Sequence, residues 1–145
     1  MGDYREDSFL PVQRIGFALS KARNRLTAEM DVALAGTGVS SSDIGALLLL
    51  SLGLARSSAG LSKLLGVDPG FLTRMIDRLE RQGLVRRDRN NPDRRVVNLT
   101  LTDAGRNVAA RIAGIVPAVL NRRLSGFTPL EFAALCRLLR KLVDE

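Results

Sequence analysis

The sequence contains no histidine and no tryptophan, and its single cysteine is Cys136. One cysteine excludes an internal disulfide framework and fits a reducing compartment, so we expect a cytoplasmic protein without a redox role for that thiol. Without histidine, no Ser-His-Asp type triad and no histidine-ligated zinc site can be assembled. Because a glycine-rich phosphate loop is also absent, the sequence predicts a protein that is not an enzyme and needs no cofactor or metal.

Aromatic residues make up only 4% of the 145 residues, whereas hydrophobic residues make up 46%. A core for one domain of this length must therefore be built mainly from Leu, Val, Ile and Ala, which favours packed helices. The first residues have mixed charge and no apolar signal-peptide region. The most apolar run, Ile44–Leu54, is about half the length of a membrane span. We therefore expect neither export by a signal peptide nor a membrane anchor.

Positive charge is abundant and unevenly placed. The formal net charge is +7, which indicates an acidic partner, either nucleic acid or an anionic membrane surface. Residues 74–95 contain eight arginines, four acidic residues and no lysine, so this segment alone contributes +4. Arginine binds guanine edges and phosphates through a planar fork, and it enters narrow minor grooves. The segment therefore favours double-stranded DNA as the partner.

The pattern along the chain predicts helices at both ends and one β-hairpin between them. Apolar spacing, N-cap residues and terminal glycines predict helices over residues 9–35, 40–53, 57–66, 69–82, 103–124 and 128–143. Strand-forming runs at 85–89 and 95–101 flank the turn Asn90 to Asp93 and predict the hairpin. Pro117 predicts a kink in the fifth helix of this series, and the helix before Gly53 is expected to be a buried hub.

The third and fourth predicted helices are short and are joined by a glycine-containing turn, which is typical of a helix-turn-helix. Asp68 suits the N-cap of the second of them, and Pro69 suits its first position. A hairpin that follows such a helix directly is a wing. The predicted fold class is therefore mainly α with a small β-hairpin wing, a winged helix-turn-helix lobe over residues 40–103.

The helix over residues 69–82 has two distinct faces when its residues are placed at about 100° intervals. One arc is apolar and should dock on the core: Phe71, Leu72, Met75, Ile76 and Leu79. The other arc is polar and should face a major groove: Gly70, Thr73, Arg74, Asp77, Arg78 and Arg81. Small residues there allow close approach, Arg74 can bond guanine O6 and N7, and Arg78 is expected on a phosphate. The alternative is a solvated face on which Asp77 pairs with Arg78 or Arg81.

The arginines of the hairpin suit a minor groove, where negative potential concentrates over A·T-rich sequence. Arg94 and Arg95 are the candidate groove contacts. Asp93 is expected to accept hydrogen bonds from Arg95 or from turn amides and so to support the arginine. The alternative is an ordinary edge hairpin whose charges prevent aggregation.

Three segments, Val67–Val85, Asn91–Val96 and Leu101–Gly105, together resemble the MarR (multiple antibiotic resistance regulator) family of transcription regulators. The resemblance implies a homodimeric repressor with residues 1–36 and 104–145 as its dimerisation region. It also implies release by a small anionic or phenolic ligand bound between the lobe and the dimer helices. By position, Ser58 resembles a phosphate contact, and Arg74, Asp93 and Arg95 resemble the recognition-helix arginine and the wing pair. The candidate DNA-binding residues are Ser58, Pro69, Gly70, Thr73, Arg74, Arg78, Arg94 and Arg95.

Two further expectations follow from this assignment. A dimer should place two recognition helices about one DNA turn apart, which predicts a pseudo-palindromic operator. Peroxide-sensing relatives use a cysteine near the N-terminus, and zinc-sensing relatives use histidine ligands. This chain has neither, so we expect it to sense neither peroxide nor zinc. A non-specific architectural DNA-binding protein is the alternative function, and it would show a steep salt dependence with little sequence preference.

Overall fold

The computed structural model of the chain describes residues 9–90, 92–93, 95 and 97–144, with side chains from residue 14 onward. Its elements in chain order are α1 (Phe9–Ala33), α2 (Ile44–Ser51), α3 (Ser58–Leu65), α4 (Pro69–Arg81), β1 (Val85–Asp88), β2 (Asn98–Leu101), α5 (Asp103–Arg123) and α6 (Pro129–Leu142). A 3₁₀ turn at Ser41–Asp43 leads into α2. This order confirms the predicted mainly α fold with a hairpin wing.

The helices begin where the sequence places N-cap side chains. Ser57, Asp68, Thr102 and Thr128 each accept a hydrogen bond from a backbone N–H three residues later, at 2.9–3.2 Å. Each bond satisfies one of the amides that a helix leaves unpaired at its start. Gly83 follows the end of α4 with a φ of 72°, a left-handed conformation that glycine adopts without strain. Helix α5 is continuous across Pro117, and the kink there stays a prediction.

The core lies between the central helices and the hairpin. Ala46 and Leu47 of α2 are fully buried, as expected for the hub. The fully buried large side chains that surround them come from several elements: Leu34, Leu61, Leu72, Ile76, Leu79 and Ile112. No aromatic side chain belongs to the buried set among the residues described, so the core consists of aliphatic side chains and methionine.

Both predicted strands prove longer than the observed ones. β1 pairs antiparallel with β2, with Val85 opposite Leu101 and Asp88 opposite Asn98, so the ladder ends there rather than reaching residues 89 and 95. Beyond the ladder, aspartate side chains accept hydrogen bonds from backbone N–H groups. Asp88 Oδ1 accepts from Asn90 N at 3.0 Å, and Asp93 Oδ1 accepts from Arg95 N at 3.0 Å. These local bonds compete with strand pairing, which lengthens the tip of the wing.

The root of the wing is joined directly to the start of α5. Thr102 N donates to Leu84 O at 3.0 Å, and Thr102 Oγ1 donates to Gly83 O at 2.6 Å. The same hydroxyl accepts the capping bond from Gly105 N. A Cβ on Gly105 would lie 2.0 Å from Leu84 O, so α5 packs closer to the hairpin than any side chain permits. This contact fixes the wing relative to the helices.

The outer helices leave apolar side chains exposed. α6 is described in full and has no buried residue, although it carries exposed Leu130, Leu138 and Leu142. In α1 the residues from 14 to 25 are exposed, and Phe17 keeps 69% of its surface. Arg123 of α5 pairs with Glu29 of α1 at 2.6 Å, which holds these two helices together. No helix in the described ranges is both long and apolar enough to span a membrane.

Gly105 provides a test of the joint between the wing and α5. Replacing Gly105 with Ala should lower the free energy of unfolding by about 1–3 kcal/mol, because the backbone oxygen of Leu84 cannot move away easily. Gly114 is the matched control, since it lies on the same helix and a Cβ added there would meet no atom within 4 Å. Gly114→Ala should raise stability by about 1 kcal/mol, because alanine favours helices. Urea denaturation measures both, and equal effects would contradict the packing described.

Candidate nucleic-acid interface

Helix α4 is docked by one side only. Leu72, Met75, Ile76 and Leu79 are buried, as predicted for its apolar arc. Phe71 is the exception, because its side chain is 40% exposed. It lies at the edge of the arc, where it lines an open groove with Arg74 instead of entering the core. The prediction that Phe71 docks on the core is therefore wrong.

The N-terminal half of α4 is accessible. Pro69, Gly70, Thr73 and Arg74 are all exposed. A Cβ on Gly70 would lie 2.9 Å from Oδ2 of Asp68, the carboxylate that caps the helix, so a small residue is required by the cap as well. No ion pair or hydrogen bond within the described part of the chain engages the guanidinium of Arg74. This guanidinium can bond an incoming acceptor without first breaking an internal contact.

A groove between α3 and α4 brings together residues from both helices of the predicted helix-turn-helix. Ser58, Pro69 and Thr73 line it, together with Lys63. Thr73 Oγ1 donates its only proton to Pro69 O at 2.9 Å, so towards a ligand this hydroxyl can act as an acceptor. Lys63 is not among the predicted site residues, although its position in the last turn of the helix that begins at Ser58 could have suggested it. The groove is therefore lined by both a hydroxyl and a cation.

Arg78 has an internal partner. Both of its terminal nitrogens donate to the carboxylate of Asp43, Nη1 to Oδ2 at 3.2 Å and Nη2 to Oδ1. Asp43 is fully buried, whereas 39% of the Arg78 side chain is exposed. This pair joins α4 to the turn before α2. The phosphate contact assigned to Arg78 from the sequence stays a prediction that competes with this bond.

Arg87 also has internal partners, on α4. Its guanidinium contacts Asp77 Oδ1 at 2.6 Å and Glu80 Oε1 at 2.9 Å, and its backbone N–H donates to Glu80 Oε2 at 3.2 Å. Burial acts to lower the pKa of Arg87, but the hydrogen bonds to both carboxylates outweigh it and raise the pKa above its ordinary value. The side chain therefore stays charged and joins β1 to the helix. Asp77 pairs with Arg87, not with Arg78 or Arg81 as a solvated helix face would have it.

The inward position of Arg87 follows from strand alternation. Residues two apart on a strand share a face, and Arg87 shares its face with buried Val85 and lies opposite buried Leu99. The alternation of Val85, Arg86 and Arg87 is visible in the sequence. It is missed when the arginines of the hairpin are grouped together by charge alone. Arg86 points the other way and is exposed.

The tip of the wing carries Arg95, one of the two predicted minor-groove contacts. The Arg95 side chain is 95% exposed, and its Nε lies 3.9 Å from Asp93 Oδ1. Asp93 Oδ1 also accepts a hydrogen bond from the backbone N–H of Arg95 at 3.0 Å, and the role of Asp93 in supporting the arginine stays a prediction. Arg94 lies outside the described residues.

These elements form an exposed helix preceded by a short helix and a tight turn and followed by an arginine-bearing hairpin. The class of protein they define is the winged helix-turn-helix. The sequence model of the MarR family matches residues 48–97, from α2 to the end of the wing tip. Over this segment the chain is similar to the MarR family, whose members are transcriptional regulators.

Relatives match over most of their length. The chain is 28% identical to the HTH-type transcriptional repressor MdtR of Bacillus subtilis (strain 168) over 130 residues, which cover 90% of this chain and 84% of MdtR. A structure of mutant E. coli MarR complexed with operator DNA superposes with a TM-score of 0.83 at 26% identity, covering 92% of this chain and 96% of that one. Bordetella bronchiseptica BpsR, whose DNA binding is regulated by 6-hydroxynicotinic acid, gives 0.81 at 25% identity, covering 90% and 99%.

Arg87 offers a test of the contact between the wing and α4. Arg87→Ala should lower the free energy of unfolding by about 1 kcal/mol at low salt, because Asp77 and Glu80 lose their shared cation. The loss should shrink at high salt, since partly exposed charges are screened. Arg86→Ala, one residue earlier on the outer face, should have almost no effect on unfolding. Urea titrations at both salt concentrations check this, and the same loss for both variants would contradict the assignment.

Proposed function

We propose that this protein is a homodimeric transcriptional repressor that binds a pseudo-palindromic operator in double-stranded DNA. Helix α4 enters the major groove with Gly70, Thr73 and Arg74, and Arg95 at the wing tip enters the adjoining minor groove. Ser58 and Lys63 contact the phosphates beside them. The relatives support this function, because one is named a repressor and another is bound to operator DNA.

One observation carries the proposal. Arg74 projects from the exposed N-terminal half of a docked helix, and within the described ranges no carboxylate neutralises it. The acidic residues of the same helix, Asp77 and Glu80, are instead bound by Arg87. In helix-turn-helix proteins the N-terminal residues of the second helix approach base edges, and arginine prefers guanine there. An architectural DNA-binding protein needs no groove-facing helix of this kind.

The dimer is supported by the surface that a single chain leaves open. α6 is amphipathic, yet Leu130, Phe132 and Leu142 are each at least 47% exposed. A helix with large exposed apolar side chains along its whole length indicates an interface between chains. We assign residues 1–36 and 104–145 to the dimerisation region and residues 40–103 to the DNA-binding lobe. The dimerisation region then sets the distance between the two copies of α4.

We further propose that a small aromatic acid releases the protein from DNA. The regulation of BpsR by 6-hydroxynicotinic acid supports an effector of this chemistry. A groove along α1 contains Phe17, Lys21 and Arg25, which offers an aromatic surface and cations for such an acid. The ligand can act only by binding the DNA-incompetent spacing more tightly than the competent one. The protein is not an enzyme in this proposal, and it acts in the cytoplasm, where its DNA lies.

Selection of bound sites from random duplex DNA, followed by titration of variants on the selected site, tests the proposal. Arg74→Ala should weaken binding to the selected site by about 1–3 kcal/mol and relax the preference at one base pair in each half-site. Affinity for random duplex should change little, because non-specific binding depends on phosphate contacts. Recovery of no preferred sequence would refute the repressor and favour the architectural alternative.

The role of Arg95 needs a different measurement. Arg95→Ala should weaken binding mainly to selected sites with A·T-rich flanks, because a narrow minor groove concentrates the negative potential that attracts arginine. Replacing the flanks with G·C pairs should weaken wild-type binding and leave the variant almost unchanged. An equal loss on both kinds of flank would show that Arg95 contributes charge without entering the groove.

A further inference from the structure

Asp43 is a fully buried carboxylate at the end of the 3₁₀ turn that leads into α2. It accepts hydrogen bonds from Ser40 N at 2.9 Å, from Ser40 Oγ at 3.3 Å and from both terminal nitrogens of Arg78. Removing one partner of such a buried pair leaves a charge without compensation, which is costly. Arg78 is therefore held in place, because moving it away would leave the charge of Asp43 buried and unpaired.

A second bond ties α4 to the same part of the chain. We call residues 34–43, which join α1 to α2, the connector. Gln82 Nε2, just past the end of α4, donates to Gly38 O in the connector at 2.9 Å. Arg78 and Gln82 are four residues apart and so lie on one side of the helix. The connector thus holds the C-terminal half of α4 at two points.

The connector is in turn held by α1. Ser41 N donates to Asp31 Oδ1 of α1 at 2.6 Å. Within the connector, Thr37 N donates to Leu34 O at 3.0 Å. Leu34 is buried in the core. Hydrogen bonds to Asp31 of α1 and from Arg78 of α4 therefore meet at the same 3₁₀ turn, at Ser41 and Asp43.

Arg74 lies one turn before Arg78 on the same helix. A rotation of α4 about its axis, or a shift along it, would move both side chains together because the helix is rigid over one turn. A base contact by a bidentate arginine depends on position and angle, whereas a phosphate contact tolerates more displacement. Loss of the anchor at Arg78 should therefore affect sequence preference more than overall attraction to DNA.

We propose that Asp43, acting through Arg78, is a positioning residue that sets the orientation of α4 for sequence-specific binding without touching DNA. Both terminal nitrogens of the Arg78 guanidinium donate to Asp43. The role of Arg78 is therefore to hold the helix and not to bind a phosphate. The inference rests on the proposed function, because it assumes that α4 enters the major groove. It makes the connector a determinant of specificity.

Arg78→Lys separates the two roles. Lysine keeps the charge and can still bind a phosphate, but it cannot bond both oxygens of Asp43 through a planar fork. If Arg78 positions the helix, this variant should bind the selected site about 2- to 30-fold more weakly, with unchanged affinity for random duplex. Arg111→Lys on α5, an exposed arginine, is the matched control and should bind both DNAs like the wild type.

The salt dependence of Arg78→Gln gives an independent readout. A lost phosphate contact lowers the slope of log K against log salt by about 0.9 per protomer. A positioning residue leaves that slope unchanged while the ratio of specific to random affinity falls. A reduced slope, or full affinity of Arg78→Lys for the selected site, would overturn the inference and assign Arg78 to the phosphates.

The double variant Asp43→Asn with Arg78→Gln guards against simple unfolding. Two neutral amides side by side leave no buried charge unpaired, so the double variant should unfold at a higher urea concentration than Arg78→Gln alone. Its loss of specificity should be smaller than the product of the two single losses, since both act on one interaction. Multiplying losses would refute the coupling. A wild-type protein without sequence preference would instead overturn the proposed function itself.

Discussion

The structure depends on one constraint, which is that α4 must bury one side in the core while the opposite side stays open to solvent. Leu72, Ile76 and Leu79 are fully buried and fix the depth of the helix. α3 packs against α4, and the hairpin that follows α4 closes the same core with Val85. Because the apolar contacts are aliphatic and non-directional, they set depth better than rotation. The directional ionic bonds at the rim of the core then fix the rotation of the helix, which apolar packing leaves free.

The arginine-rich segment is therefore a mixture of two kinds of residue. Arg78 and Arg87 form ion pairs with carboxylates of the protein itself. Arg78 joins α4 to the connector, and Arg87 joins α4 to the wing. Arg74 has no such partner among the described residues, and Arg95 is almost fully exposed. The net charge of the segment is unchanged by internal pairing, so long-range attraction to a polyanion is retained. Internal pairing thus separates the guanidinium groups that can contact DNA from those that hold α4, the connector and the wing together.

Local signals allow most of the architecture to be predicted from the sequence. N-caps such as Asp68 and Thr102 and the helical spacing of α4 act within a few residues, and the structure confirms the elements they predict. The predicted wing strands are too long because Asp88 and Asp93 bond nearby amides in preference to the ladder. The pairing of Asp43 with Arg78 joins residues 35 positions apart and leaves no periodic trace. Partner choice of this kind is determined by tertiary packing, to which a single sequence gives no access.

The joint at Thr102 has a consequence for how such a protein can diversify. The root of the wing is fixed by Gly83, Leu84 and Thr102, whereas the hydrogen bonds at Asn90 and Arg95 stay within the tip. A surface loop with fixed ends tolerates insertions and replacements at a small entropic cost. The tip can therefore change in length and sequence during evolution while the body of the molecule keeps its shape. Under the proposed function, a change at the wing tip would alter recognition of the operator flanks without moving α4, so flank and centre preferences could evolve separately.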